Sequence, residues 1–148
     1  MYETNSVHFL NILILIHTRK KQRAKKLLQI VNLEEAILKA KRLAKNRIAK
    51  GENADEFVEI GNADGFKIYV TAGKTLRHKS PQTLHENSRD VFMLVLQGGI
   101  EFKFENGERA IVEANECFVL PKHMKHSCVF KEMTITVEGV YEKGLYNK

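Results

Sequence analysis

Thiols, hydroxyls and imidazoles are the side chains with nucleophilic or metal-binding chemistry here, and few of them stand in surroundings that would use it. Cys117 and Cys128 sit in apolar runs, where a free cysteine serves as a small hydrophobe and not as a nucleophile. Ser80, Ser88 and Ser127 lack the surroundings of a nucleophile elbow, and no glycine-rich loop could cradle a phosphate. A different chemistry is electrostatic. Between Arg19 and Lys26 there are six cations in eight residues, a density that attracts nucleic-acid phosphate or anionic lipid headgroups. The run has no aromatic interleaving and no helix-turn-helix pattern. Its expected role is therefore a solvated face on a helical arm packed against the neighbouring domain or a second subunit, ahead of nucleic-acid contact through residues 19–50 or a membrane surface. The histidines carry the remaining chemistry, and their use depends on the strands that position them.

Those elements are written in the periodicity. From Asn32 the pattern is helical: Asn32 can cap, Glu35 follows three residues later, and Leu33, Ala36, Ile37, Ala40, Leu43, Ala44 and Ile48 recur on one face until Gly51. Lys39, Lys41, Arg42, Lys45, Arg47 and Lys50 take the other sides. After Gly51 the period changes to alternation. Strands are expected over 56–60, 66–71, 75–78, 91–96, 100–105, 109–112, 117–120, 127–130 and 133–140, separated by turn chemistry at Asn62-Ala63-Asp64-Gly65, Gln97-Gly98-Gly99 and Glu105-Asn106-Gly107. In one of these, Ile100, Phe102 and Phe104 alternate with Glu101, Lys103 and Glu105, which describes a buried and a wet face. So many strands without intervening helices give an antiparallel sandwich or small barrel.

Composition agrees with a single core. The chain has 148 residues, 43% apolar and 28% charged, with 9 Gly and 2 Pro, which excludes a disordered or collagen-like polymer. The longest apolar run, Ile12 to Ile16, falls far short of the roughly 20 residues of a membrane span. Two cysteines allow at most one bridge, and the cations follow the short apolar run instead of preceding it, so a reducing, cytoplasmic setting is expected. Charge divides the chain. Residues 1–50 hold 12 Lys and Arg against three acids, a balance of +9, while 51–148 balance at −3. The expected organisation is a basic helical extension over 1–50 and a β domain over 51–148.

Two stretches of the β region resemble the cupin family of jelly-roll barrels. His85-Glu86-Asn87-Ser88-Arg89-Asp90-Val91 through Gly98 is similar to the family's first motif, in which a His-X-His pair and a Glu precede a strand ending in Gly. Asn115 through Pro121 to His126 is similar to the second, a Gly, five residues, then Pro-X-Gly-X-X-His. Asn115 and His123 stand where the family has Gly, and both residue types enter the left-handed region more readily than most. The resemblance spans about 56–141 and implies a mainly β, antiparallel jelly-roll barrel that commonly pairs as a homodimer.

In metal-binding cupins the ligands are the two His and the Glu of the first motif with the His of the second. Counting back from Gly98 with the family spacing gives Leu84, Glu86 and Val91, which cannot hold a metal. One extra residue in the strand, a bulge, gives Thr83, His85 and Asp90 instead. His126 fits without adjustment. The resemblance thus implies His85, Asp90 and His126 as the ligand set for one divalent ion, Fe, Mn, Zn or Ni, with His78 and His123 in reserve. Three functions follow. The favoured one is a barrel that binds a small molecule against residues such as Met93, Val95, Phe118 and Leu120. The alternatives are a metal-dependent isomerase or dioxygenase using the three ligands, and a ligand-sensing regulator whose basic arm contacts nucleic acid.

Overall fold

The computed structural model describes residues 31–63, 65–79 and 83–141. The basic run 19–26 and the apolar stretches around it lie outside the described residues, as do Asp64 and Ser80. Helix α1 (Leu33–Ala49) starts where the sequence places it, with Asn32 Oδ1 accepting the Glu35 N–H at 3.2 Å. Its buried face is made of Ala36, Ala40 and Ala44, four residues apart. Such small side chains let the helix lie close on a sheet, and they pack there against Ala54, Val58, Val70, Ala72 and Ile135. Two of its cations are tied down by side-chain partners, and the backbone of a third residue caps the helix. Lys41 Nζ donates to Gln97 Oε1 at 2.9 Å, and Arg47 pairs with Glu52 at 3.0 Å and with Glu56 at 3.5 Å, while Lys50 closes the helix C-terminus. The residues on either side of Gly51 therefore share one core.

Among the described residues eight strands follow: β1 (Ala54–Ala63), β2 (Phe66–Lys74), β3 (Val91–Gln97), β4 (Gly99–Phe104), β5 (Arg109–Glu113), β6 (Cys117–Leu120), β7 (His126–Phe130) and β8 (Thr134–Tyr141). All pairings are antiparallel, in a five-stranded sheet ordered β1-β2-β8-β3-β6 and a three-stranded sheet ordered β5-β4-β7. The two sheets meet over a second core, in which Val91, Met93, Val95 and Leu120 of the larger face Ile100, Phe102 and Phe130 of the smaller. This is the mainly β, antiparallel jelly-roll architecture behind a helix. One expected strand is missing: 75–78 does not pair as a strand. Thr75 exchanges hydrogen bonds with Phe130, Leu76 N–H donates to Asn53 Oδ1 at 2.9 Å, and Lys79 N–H turns back to Leu76 O, so the chain leaves the sheet after Lys74.

Alternation gives the five-stranded sheet two unlike faces. Val58, Val70, Ala72 and Ile135 point to α1, whereas their neighbours Phe57, Thr71, Gly73, Thr136 and Glu138 point between the sheets. Gly73 is required on that inner face, because a Cβ there would lie 2.6 Å from the Phe130 ring.

Candidate functional site

The inner face opens on a cavity of about 360 Å³ between the sheets. Apolar walls come from Val91, Met93, Ile100, Phe102, Leu120, Phe130 and Val140, and polar atoms from Asp55, His85, Asn87, Ser88, Arg89, His126, Cys128 and Glu138. Of the residues expected to meet a ligand, Met93 and Leu120 line the cavity. Val95, fully buried, lies one alternation deeper, and Phe118 turns its ring edge-on to Phe102 at 5.3 Å instead of forming the wall.

Two imidazoles define one end of the cavity. His126 begins β7, and His85, in the connection before β3, forms an isolated antiparallel bridge with it through two 2.9 Å backbone hydrogen bonds. The rings lie 4.4 Å apart at 57°. His85 Nδ1 is 3.0 Å from Thr83 O and His126 Nδ1 is 2.7 Å from Met124 O. A carbonyl can only accept, so each Nδ1 carries the hydrogen, and in the neutral ring Nε2 is left as the acceptor. Burial pushes the His126 pKa below its ordinary 6.5, and the nearby His85 acts in the same direction against the raising effect of Met124 O.

The third expected ligand does not join them. The irregularity that the motif spacing calls for is present, as a register shift between Val95 and Gln97 of β3 against β8. Even so, Val91, Met93 and Val95 are the inward residues of β3, which puts Asp90 one residue out of phase, exposed at the surface. There its Oδ1 accepts the Lys122 N–H at 2.8 Å and, with His123 N–H to Asn87 O, latches the two motif stretches together. Among the described residues no three His, Cys, Asp or Glu side chains are grouped as a metal site. Two imidazoles fall short of the three protein donors of an open catalytic site. His123 faces Glu86 on the surface at 3.4 Å, and the exposed His78 lies in the turn after β2.

A second polar constellation was not foreseen. Glu138 of β8, half-buried, projects into the cavity, and its Oε1 is 2.9 Å from the hydroxyls of both Thr71 and Thr136, which also contact each other. Burial raises the Glu138 pKa, with Asp55 adding to the rise and the two threonine hydroxyls opposing it. Burial, then Asp55 and Glu138, pushes the Cys128 thiol up to about 12, which leaves it an inert small side chain. Cys117 differs from expectation: it is exposed on the outer side of edge strand β6. The signal for Glu138 was in the sequence. Thr134, Thr136 and Glu138 alternate with Ile135 and Val137, and once the apolar pair is committed to α1 the polar set must face inward.

This topology is that of known barrels. A cupin-2 domain protein from Shewanella frigidimarina superposes with a TM-score of 0.53 at 12% identity, covering 79% of this chain and 98% of its own. KdgF from Halomonas sp. matches with 0.50 at 18% identity over 61% of this chain and 80% of its own, and EutQ from Clostridium difficile with 0.51 at 11% over 64% and 72%. The chain is a small protein of cupin fold. No protein-family model and no curated protein matches the sequence.

Proposed function

We propose that the chain is a small-molecule-binding cupin whose ligand occupies the cavity between the sheets. The observation that carries this reading is the cavity itself: about 360 Å³, apolar-walled, with two oriented imidazoles at one end and a half-buried carboxyl within. That combination of apolar surface and few fixed polar groups suits a small organic ligand. Leu120→Trp fills the space from one wall. Ligand-observed NMR with a fragment mixture should report binding to wild type that is lost in Leu120→Trp, and binding of equal strength in both would overturn the reading.

A second reading, favoured by the orientation of both rings through backbone carbonyls, is a divalent ion, Fe, Mn, Zn or Ni, on His85 and His126. Asp90, held on the Lys122 N–H at the surface, does not complete the set that an isomerase or dioxygenase reading needs. Elemental analysis after incubation with each metal, on wild type and His126→Ala, tests it: about one equivalent, lost in the variant, supports the ion. Two free cysteines suit a reducing, cytoplasmic setting. Phe92 and Val119, 43% and 58% exposed on the outer face near edge strand β6, suit pairing of two copies, which sedimentation measures. Nucleic-acid contact through residues 19–50 stays the least favoured, since Lys41 and Arg47 already have partners. No helix among the described residues is long and apolar enough to cross a membrane.

A further inference from the structure

Arg89 differs from the other charged side chains in the connection before β3. Its acidic neighbours there are engaged elsewhere, Asp90 on the Lys122 N–H at 2.8 Å and Glu86 beside His123 at 3.4 Å. Arg89, half-buried, lines the cavity, and its guanidinium makes no ion pair or hydrogen bond with a described residue. The chain that carries it is nonetheless held on both sides, since Asn87 O accepts the His123 N–H at 2.8 Å and Asp90 accepts from Lys122. Five N–H donors in a rigid fork, on a fixed piece of chain beside a cavity, suit a planar anion and above all a carboxylate.

The other polar groups of the cavity define what the rest of the ligand must be. His85 and His126 hold their hydrogens on Nδ1 against backbone carbonyls, so they offer uncharged acceptors, and Arg89 is the one cation among the described walls. Glu138 Oε1 accepts from the hydroxyls of Thr71 and Thr136 at 2.9 Å each, two donors that favour the ionised carboxylate against the burial around it. Asp55 lines the same cavity and adds negative potential at Glu138. A second carboxylate on the ligand would be repelled there and an ammonium group attracted.

The two poles are separate. Met93 stands opposite Glu138 in the register of β3 with β8, Arg89 precedes Met93 by four residues, and no ion pair joins Arg89 to Glu138. An ammonium and a carboxylate on one carbon reach only one pole, whereas charges at the two ends of a short chain reach both. We propose that Arg89 anchors the carboxylate of a small ω-amino acid whose ammonium group meets Glu138 and whose methylenes lie on the apolar walls. This deepens the small-molecule reading and rests on it.

Titration calorimetry with γ-aminobutyrate and ε-aminocaproate, against butyrate, butylamine and glutarate, tests each pole. In wild type the ω-amino acids should bind most tightly. Arg89→Gln should weaken them and butyrate about tenfold, the scale of one charge-assisted contact, and leave butylamine unchanged. Glu138→Gln should weaken them and butylamine to a similar extent and leave butyrate unchanged. A misfolded variant would lose every probe alike and could not give this crossed pattern. The order in wild type decides the matter even where a variant does not fold: glutarate, butyrate or butylamine binding as tightly as the ω-amino acids overturns the inference. Should the fragment mixture separate wild type from Leu120→Trp while none of these probes binds, the inference falls and the cavity stands as a binding site. Should the fragments also fail to separate them, the small-molecule reading falls with it.

Discussion

The two faces of the five-stranded sheet are made by the same strands and do opposite work. On the outer face Ala54, Val58, Val70, Ala72 and Ile135 close against the alanines of α1. On the inner face, one residue along in each strand, Thr71 and Thr136 hold Glu138, which borders space that protein atoms do not fill. Small apolar residues are interchangeable only within volume limits, whereas the inner residues are defined by hydrogen bonds. The outer face is thus a matter of packing and the inner face one of chemistry. A strand can carry both because its side chains alternate.

The comparison breaks most completely when the outer face loses its cover. Removing residues 32–50 would expose Val58, Val70, Ala72 and Ile135 together, and the product is expected to be insoluble or to lack cooperative unfolding. A fragment beginning at Asn32 keeps the compact unit and is expected to remain folded. Circular dichroism and thermal melts of the two fragments check this, and a cooperative, soluble 51–148 fragment would show the outer face to be self-sufficient. Less drastic is Ala40→Leu. Ala40 has no exposed surface, so the added atoms must push the helix off the sheet, at about 1–3 kcal/mol by chemical denaturation.

The inner face responds differently. The paired change Thr71→Val with Thr136→Val keeps shape but removes the hydroxyls from Glu138 Oε1. Two hydrogen bonds in a half-buried place are worth about 1–2 kcal/mol in sum, and unfolding should show a loss of that size with the overall fold unchanged. An equal loss from either single change, with nothing further from the second, would mean that the three oxygens act as one unit.

How much of this could be read beforehand follows the same division. The outer face was legible because its signal is local: the Asn32 cap, the stripe of Ala36, Ala40 and Ala44, and the switch to alternation after Gly51. Turn chemistry was legible for the same reason. Asn106-Gly107 lies between paired β4 and β5, and Asn115 and His123, in the Gly places of the motif, take φ of 71° and 62°. The inner face needed information that no local window holds. Whether Thr136 and Glu138 are wet or enclosed depends on what covers the other side of β8. Whether Asp90 points in depends on β3 starting its inward alternation at Val91. His85 and His126 were recovered because the motif carries their long-range pairing, while Thr71 and Glu138, 67 residues apart, belong to no motif.

The smallest expected effect concerns pH, and it separates the two chemical ends of the cavity. For His126 the folded pKa lies below the unfolded value near 6.5, so between the two the unfolded chain binds more protons and stability falls as pH falls. For Glu138 the folded pKa lies above the unfolded value near 4.5, so there the folded chain binds more protons. Stability then falls as pH rises through the folded value and is recovered towards acid. The two groups therefore pull in opposite directions between neutral and mildly acid pH. Denaturation midpoints measured from pH 7.5 to 5, with chelator present, should fall less on acidification, or rise more, in His126→Leu than in wild type. Glu138→Gln should remove the opposing gain, so that its acid-side loss is steeper than wild type. A wild-type profile unaltered by either substitution would mean that both side chains meet water freely in the folded protein, and the inner face would then be no more enclosed than the surface.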